Sequence, residues 1–273
     1  MTGPRSAAQA GEPGVLERPV LDTSRPNIAR MYDYWLGGKD NYAADRHAAE
    51  ELLRLIPESI LACRHNRLFL QRAVQFLAAE AGIRQFIDIG TGLPTQNNVH
   101  EMAPDARVVY VDYDPVVIAH ANALLVKRAT VRAIRGDLRQ PQDILADPGL
   151  RGLIDLGEPV AILLVAVLHF VDDKEDPYRI TDALKAAMAP GSYLVISHVT
   201  ADEIPAAVSQ DAQRIYHGAS AAVTPRSRAQ VQQFFDGLDL VDPGVVNTST
   251  WPRRLSLPSP GRVLSYAGVA TKP

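Results

Sequence analysis

Three aspartates follow short apolar runs at positions where a carboxylate can bind parts of a nucleoside. Asp88 belongs to the first run, and Asp112 ends a second run about twenty residues further on, the spacing expected for an acid that accepts both hydroxyls of a ribose. Asp137 follows a third run, where it can accept the amino hydrogens of an adenine while Leu138 packs on the ring. The pattern predicts a site for an adenosine-containing ligand, although each acid alone is also compatible with a solvated loop.

Two glycines, Gly90 and Gly92, follow the first run. Glycine lets the backbone turn sharply and approach a ligand without interference from a Cβ. A dinucleotide-binding loop would have a third glycine where this chain has Thr95, and Asp88 favours a cationic group such as an ammonium over a pyrophosphate. A short-chain oxidoreductase is disfavoured further, because no tyrosine is followed by a lysine four residues on. A glycine turn without a ligand is the remaining alternative.

A histidine and a run of acids follow the fourth apolar stretch. A neutral imidazole at His169 can accept the proton of an attacking hydroxyl as a general base, and His198 after the fifth stretch is a second candidate. A histidine that simply packs at a strand end is the structural alternative. The four acids within residues 172–176 are interpreted as a solvated, helix-capping run, so no metal site is expected.

Short β-rich runs alternate with helical stretches from residue 83 to residue 273. Strands are predicted at 85–89, 107–112, 131–134, 160–165, 193–197, 238–246 and 262–270. Continuous apolar strands separated by helices are typical of a parallel sheet with helices on both faces. We therefore predict an α/β, Rossmann-like core with a seven-stranded, mostly parallel sheet. The carboxyl ends of parallel strands meet at one edge, which would bring Asp88, Asp112 and Asp137 together.

The chain before this core divides into a tail and a helical segment. Residues 1–22 are rich in Gly, Pro, Ala and Ser without periodicity, and we expect them to be a mobile tail. Residues 23–82 are predicted to form an N-terminal helical segment. Its first helix is expected to begin at the possible caps Thr23 and Ser24 and to end at the pair Gly37 and Gly38.

Aromatic residues lie on both sides of that glycine pair. One set recurs at helical spacing and is expected to bury a helix face in the core: Ile28, Met31, Tyr32 and Trp35. A second set is expected to form a helical lid over the ligand or substrate: Tyr34, Gly38, Asn41 and Tyr42.

Composition limits the class of protein and its partners. The chain has 273 residues, enough for one large α/β domain, and its formal net charge of -3 gives no reason to expect nucleic acid as a partner. The single cysteine, Cys63, excludes an intramolecular disulfide and fits a reducing cytoplasm. The longest apolar run, 160–171, is too short to span a bilayer, and no signal-peptide pattern begins the chain. We expect a cytoplasmic protein without a membrane partner, as a monomer or a homodimer.

Several motifs resemble the cofactor motifs of class I S-adenosylmethionine-dependent methyltransferases. They are Asp-Ile-Gly-Thr-Gly at 88–92, Val-Asp-Tyr-Asp-Pro at 111–115 and Gly-Asp-Leu-Arg at 136–139. From about Arg25 onward the chain resembles a bacterial family of S-adenosyl methyltransferase-like proteins. The segment 25–42 is the most distinctive part of that match, and the segments 92–98 and 167–173 add to it.

The resemblance implies S-adenosylmethionine as the cofactor and a small-molecule methyl acceptor with a hydroxyl or similar group. The implied cofactor-binding residues, besides the lid, are Asp88, Gly90, Thr91, Gly92, Asp112, Tyr113, Asp137, Leu138 and Ala166. The Leu-His-x-x-Asp pattern around His169 is similar to that of small-molecule O-methyltransferases, in which the histidine is the base, although Phe170 and Val171 depart from it. A non-catalytic, regulatory binder of S-adenosylmethionine or S-adenosylhomocysteine is the alternative function.

Overall fold

The computed structural model describes residues 21–94, 97–252 and 261–273; most of the predicted tail and Thr95 lie outside these ranges. The strands are β1 (Gln85–Ile89), β2 (Arg107–Asp112), β3 (Val131–Arg135), β4 (Ala161–Val165), β5 (Tyr193–Val199), β6 (Asp239–Leu240), β7 (Val246–Asn247) and β8 (Ser265–Thr271). The helices are α1 (Ile28–Trp35), α2 (Ala43–Leu55), α3 (Ser59–Ala79), α4 (Val99–Met102), α5 (Pro115–Leu124), α6 (Pro141–Ala146), α7 (Pro148–Arg151), α8 (Pro177–Ala187), α9 (Ala206–Gly218) and α10 (Arg228–Gln233). None of the helices in the described ranges is long and apolar enough to cross a membrane.

The strands form a sheet in the order β3-β2-β1-β4-β5-β8-β6, with β7 paired to β8. Strands β1 to β5 are parallel, and β8 runs antiparallel to β5. The chain builds outward from β1 through β2 to β3 and then returns to the other side of β1 with β4. Ligands of such sheets bind at the carboxyl ends of the strands where the order reverses, here between β1 and β4. The predicted α/β architecture is confirmed.

Apolar side chains of the sheet divide into two layers. Phe86 of β1 packs in the layer of α3, α4 and α5, whereas Ile87 and Ile89 pack in the layer of α6, α7, α8 and α10. β1 is buried along its whole length, as expected for a central parallel strand. The predicted placement of helices on both faces is therefore confirmed.

The sheet has eight strands, whereas seven were predicted. The stretch 238–246 was predicted as one strand. It contains β6 and the first residue of β7, and both of these short strands pair with β8. Pro243 between them has no N–H to donate to a ladder. Gly244 has a φ of +79° and donates its N–H to the Val241 carbonyl in a turn. The turn interrupts what would otherwise be one continuous strand.

The first helix begins later than predicted because Asn27 caps it. The Asn27 side-chain oxygen accepts hydrogen bonds from two backbone N–H groups of the first turn, whereas residues 23–26 are not helical. Gly37, with a φ of +82°, follows the end of the helix as predicted. A buried ion pair between Arg30 Nε and Asp45 Oδ2, 2.8 Å apart, joins α1 to the start of α2.

The N-terminal helices pack on two different parts of the molecule. Phe69 of α3 belongs to the same apolar layer as Phe86 in β1. By contrast, Met31 of α1 and Leu52 of α2 form a smaller cluster with Ala212 of α9. Helices α1 and α2 thus share an apolar cluster with α9 that is separate from the two layers of the sheet. The division of the chain after residues 22 and 82 stays a prediction.

The acids after β4 serve as caps and as an ion-pair partner. The Asp172 side chain accepts from a backbone N–H of the 3-10 helix Asp173–Glu175, and the Asp176 side chain does the same at the start of α8. Asp173 pairs with the buried guanidinium of Arg226. These contacts agree with the interpretation of the run as helix-capping.

Arg226 links the segment after β4 to β5. Its Nη2 donates to the Val171 carbonyl at 2.9 Å and to Asp173 Oδ1 at 2.6 Å. Its Nη1 donates to the Leu168 carbonyl at 3.2 Å and to His198 Nε2 at 2.9 Å. The guanidinium is therefore buried but well satisfied, which is the condition for a charge to be tolerated in a core.

Replacing Arg226 with methionine should lower the free energy of unfolding by about 2–4 kcal/mol, because two carbonyls and His198 lose their buried donor. Arg179→Met is the control, since that guanidinium is exposed and lies 3.8 Å from Asp176, where an ion pair contributes little. Urea denaturation followed by circular dichroism measures both variants. Equal losses in the two would contradict this role of Arg226.

Candidate functional site

A cavity of about 260 Å³ lies at the carboxyl edge of the sheet, between the strand ends and helices α1, α2, α3 and α9. Most of the predicted site residues that follow strands line it: Asp88, Gly90, Thr91, Gly92, Asp112, Tyr113, Ala166 and His169. The fold therefore brings together residues from β1, β2 and β4 that are far apart in sequence.

The glycine loop turns back onto the end of β2. Gly90 has a φ of +74°, and its N–H donates to the Val111 carbonyl at 2.8 Å. A Cβ on Gly90 would collide with the Val167 side chain, so the close approach of these two segments requires glycine. Gly92 has a φ of +65°, and no described residue lies within 4 Å of a Cβ added there. The loop thus leaves bare backbone on the cavity side at Gly92.

Asp112 is a buried carboxylate whose two oxygens are oriented by backbone amides. Its Oδ2 accepts from the Gly92 N–H at 3.0 Å, and its Oδ1 accepts from the Asp114 N–H at 3.0 Å. Burial raises the pKa of Asp112 to about 6, although these hydrogen bonds favour the ionised form. Asp114 caps α5, as predicted. Each Asp112 oxygen retains a lone pair that can accept a hydroxyl hydrogen.

Asp88 lies on the neighbouring strand and is also buried. Burial raises the pKa of Asp88 to about 6, while the charge of Arg67 and a hydrogen bond from the Thr91 hydroxyl oppose that shift. The Thr91 Oγ1 lies 3.2 Å from Asp88 Oδ2. A cationic group in the cavity would compensate this partly desolvated carboxylate.

Asp137 and Leu138 lie outside the lining of the cavity. The Asp137 carboxylate is bound by Arg139 through Nε at 2.8 Å and Nη2 at 2.6 Å, which holds the pKa of Asp137 below its ordinary value. Arg139 also reaches Glu175. Leu138 belongs to the same apolar cluster as Ile144. Their roles at an adenine stay predictions.

Ala166 follows β4 with a backbone conformation that residues other than glycine rarely adopt. Its φ is +58°, and its N–H donates to the Ser197 Oγ at 2.9 Å. Both residues line the cavity. Strained backbone of this kind persists where the surroundings hold it and is frequent at ligand sites. Ser197 is therefore part of the site, and the sequence analysis did not identify it.

A chain of hydrogen bonds continues from Ser197 into the N-terminal helices. The Ser197 hydroxyl donates to Asn66 Oδ1, Asn66 Nδ2 donates to Tyr32 Oη at 3.0 Å, and Tyr32 donates to the Cys63 carbonyl at 3.1 Å. The available sequence signal was a polar residue inside an apolar strand or helix face, because buried polar groups require partners. That signal identifies Ser197 and Asn66 but not their contact.

His169 lies buried in the cavity wall. Its Nδ1 accepts from the Val199 N–H at 3.4 Å, so the neutral ring carries its hydrogen on Nε2. Burial, together with His198 and the charge of Arg226, lowers the pKa of His169 well below its ordinary value. The role of His169 as a general base stays a prediction. The nitrogen that would accept the proton, Nδ1, already accepts a hydrogen bond from Val199.

The predicted lid residues Gly38 and Asn41 surround Asp33 at the turn between α1 and α2. Asp33 Oδ2 accepts from the Asp40 N–H and from Asn41 Nδ2, both at 2.9 Å. A Cβ on Gly38 would collide with the Asp33 carboxylate, so the turn requires glycine there. Asp33 lines the cavity, whereas Gly38 and Asn41 do not.

Tyr34 and Tyr42 also lie outside the cavity lining. The Tyr34 hydroxyl donates to Glu50 at 3.1 Å, and the exposed Tyr42 ring lies 5.4 Å from the Arg30 guanidinium carbon. A different face of the N-terminal segment lines the cavity, and there Asn27 Nδ2 donates to Asp114 Oδ2 at 2.8 Å. This contact joins the segment to the strand end that holds Asp112.

Comparison with known proteins gives a match over nearly the whole chain. A family model described as S-adenosyl methyltransferase matches residues 15–273. The chain belongs to the S-adenosyl methyltransferase family. A DUF574-family protein of Streptomyces avermitilis is 39% identical, with 92% of this chain and 99% of that chain covered and a TM-score of 0.86. A candidate methyltransferase of Thermobifida fusca is 41% identical, with 95% and 99% covered and a TM-score of 0.86.

A more distant structure shares the fold alone. The N-methyltransferase NodS of Bradyrhizobium japonicum, solved with S-adenosylhomocysteine, is 15% identical, with 89% of this chain and 99% of that chain covered and a TM-score of 0.50. A search of curated proteins returned no match. Family membership makes the chain an S-adenosylmethionine-dependent methyltransferase with S-adenosylmethionine as its cofactor, and it confirms the resemblance seen in the sequence.

Asp88→Asn should stabilise the ligand-free methyltransferase near pH 7.5 by about 2–3 kcal/mol, because the variant has no buried charge at this position. The folded-state pKa of about 6 lies above the ordinary 3.8, so the wild type loses stability as pH rises through 6. The advantage of the variant should therefore vanish near pH 4. Urea unfolding at both pH values tests this, with the exposed Asp105→Asn as control. An advantage that does not depend on pH would contradict the account.

Proposed function

We propose that this methyltransferase acts in the cytoplasm on a small molecule that presents a hydroxyl or a similar nucleophile. The observation that carries the proposal is one cavity lined both by the buried carboxylates of Asp88 and Asp112 and by uncharged residues of α9, among them Ala212 and Tyr216. The first set suits a nucleoside with an amino-acid end, and the second suits an organic acceptor. The free thiol of Cys63 fits a reducing compartment.

The groups at the strand ends fit S-adenosylmethionine. Asp112 would accept hydrogen bonds from the two ribose hydroxyls. Backbone amides already hold its two carboxylate oxygens in place. Asp88, with Thr91 beside it, would accept from the ammonium of the amino-acid end, and that cation would favour the ionised carboxylate. The open space at Gly92 leaves room for close backbone contact.

The adenine end is assigned to the side of Asp112 that carries Tyr113. Tyr113 lines the cavity, and Asp137 and Leu138 follow the next strand. An ionised carboxylate has about four lone-pair positions, so Asp137 can remain paired with Arg139 and still accept an adenine amino hydrogen. This assignment keeps the order of ligand parts parallel to the order of strands β1, β2 and β3.

Orientation and exclusion of water are the main contributions that the protein makes to methyl transfer. S-adenosylmethionine supplies an electrophilic methyl carbon, to which the acceptor bonds as the carbon–sulfur bond breaks with its electron pair on sulfur. Ala166, held by Ser197, and Gly90, packed against Val167, give the cavity a rigid wall after β1 and β4. Helices α1 to α3 cover the strand ends on the other side.

The N-terminal helices are proposed to act as the cover of the site. The predicted lid residues would act through the turn around Asp33 rather than by touching the ligand. They shape the end of α1, and the other face of α1 lines the cavity. These residues are Tyr34, Gly38, Asn41 and Tyr42. A cavity of this size and a net charge of -3 both favour a small acceptor over nucleic acid.

Calorimetry with S-adenosylhomocysteine tests the cofactor site. Gly92→Ala should weaken binding by at least about tenfold, because a methyl group enters the space at the loop. Gly82→Ala is the matched control: its φ of +73° resembles the +65° of Gly92, and no described residue lies within 4 Å of either added Cβ, so both variants carry a similar backbone cost. The Gly82 variant should bind as the wild type does. Failure of the wild type to bind would contradict the proposed site.

Methyl transfer is tested with labelled S-adenosylmethionine and a small-molecule extract. Labelled products of low molecular mass are expected with the wild type and should be strongly reduced with Asp112→Asn. Binding of S-adenosylhomocysteine without any labelled product would instead support the regulatory binder.

A further inference from the structure

Part of the cavity wall is free of formal charge among the residues that the structure describes. It is formed by the 3-10 helix after β4, by α9, by Ile204 shortly before α9 and by the segment 223–225. Its side chains include Phe170, Ala212, Gln213, Tyr216 and Val223. The charged lining residues lie instead after β1 and β2 and on α1 and α3. The side chains of this wall therefore suit a largely apolar ligand portion.

Neither histidine beside this wall has a free acceptor nitrogen. His169 Nδ1 accepts from the Val199 N–H at 3.4 Å. His198 Nδ1 donates to the Val199 carbonyl at 2.7 Å, and its Nε2 accepts from Arg226 at 2.9 Å. Uptake of a proton by either ring would place two N–H groups against each other. Within the described residues this wall offers no base, and His169 presents its Nε2–H as a donor.

Positive charge lies behind the two rings. The Arg226 guanidinium is 1% exposed, whereas its counter-ion Asp173 is 65% exposed and screened by water. Because the buried charge is screened less than the exposed one, the field at the histidines is positive. The charge of Arg226 that helps to lower the pKa of His169 also favours an anion bound next to it.

Aromatic rings complete the wall. The Phe170 ring centroid lies 4.3 Å from that of His169 and 6.2 Å from that of Tyr216. Both pairs are tilted, with interplanar angles of 59° and 55°, and a further planar ring can pack against them. The Tyr216 hydroxyl makes no hydrogen bond with another described residue and is available to a polar substituent of a ligand.

We propose that the acceptor is a planar aromatic molecule with an acidic hydroxyl, as in a phenol, and that His169 holds its ionised oxygen through Nε2–H. This inference rests on the proposed function, because it names the acceptor of the same reaction. On binding, the O–H bond breaks, the proton leaves to solvent and the electron pair stays on oxygen, which then bonds to the methyl carbon. An aliphatic alcohol does not ionise near neutral pH and would need a base that the described wall lacks.

The groups of the wall around His169 do not titrate near neutral pH, so the acceptor is the titrating group on this side of the cavity. His169 and His198 stay neutral for the reasons above, and burial raises the pKa of Tyr216 and Cys63, so that both keep their protons. Arg226 is paired with Asp173. At the cofactor end, Asp88 and Asp112 have pKa values of about 6 and lie after other strands.

Spectroscopic titration of 4-nitrophenol bound to the full chain with S-adenosylhomocysteine tests the donor role without turnover, because the phenolate is coloured. The pKa of the bound phenol should fall by about one unit relative to free phenol. His169→Gln should keep most of this shift, since its amide can donate a hydrogen bond but cannot act as a base. His169→Phe preserves a planar ring and should abolish the shift. An unshifted or raised pKa on the wild type would overturn the proposal.

A second readout uses the wild type alone and does not depend on how the variants fold. In a series of substituted phenols, the pH at which kcat/KM reaches half its plateau should follow the pKa of each acceptor. With S-adenosylmethionine at saturation, an inflection at one pH for all acceptors, distinct from that of Asp88 and Asp112 near 6, would indicate an enzyme base, as predicted for His169, and would overturn the donor role. Transfer to aliphatic alcohols but to no phenol would overturn the substrate class. Loss of S-adenosylhomocysteine binding in calorimetry separately contradicts the proposed function.

Discussion

Burial of two carboxylates at neighbouring strand ends is the constraint on which the rest of the cavity depends. Parallel pairing of β1 with β2 places Asp88 and Asp112 at one edge, and burial raises the pKa of both. Two backbone amides donate to Asp112, whereas Asp88 accepts from the Thr91 hydroxyl and is influenced by the charge of Arg67. The glycine loop is needed for this arrangement, because its Gly92 amide is one of those donors. The remaining desolvation is unfavourable without a ligand, and the proposed contacts with a cation and a pair of hydroxyls would relieve it.

A second requirement is that the cover of the cavity be joined to the sheet. Two sets of hydrogen bonds join them. Asn27 donates to Asp114 beside the end of β2, and Asn66 links Tyr32 to Ser197 of β5. The second path ends at the Ala166 N–H, so the conformation of the wall after β4 depends on residues that come from the N-terminal helices. Placement of those helices and the shape of the cavity are therefore parts of one network.

Predictability from sequence differed between local and long-range features. Five apolar runs located β1 to β5, and the pair Asp114 and Pro115 located the start of α5, because periodicity and capping are properties of neighbouring residues. The split of β6 from β7 was missed, although Pro243 within the run was a local signal. Contacts such as Ser197 with Asn66 join residues far apart in sequence and leave no local pattern. For the same reason, helical spacing on α1 did not tell which face would line the cavity.

The central claim, that S-adenosylmethionine binds across the ends of β1 and β2, is tested most directly by a crystal structure with S-adenosylhomocysteine. The account predicts both ribose hydroxyls on the Asp112 carboxylate and the amino-acid end beside Asp88 and Gly90, with the thioether sulfur facing the neutral wall near His169. A nucleoside bound elsewhere, or a ribose that does not contact Asp112, would contradict it.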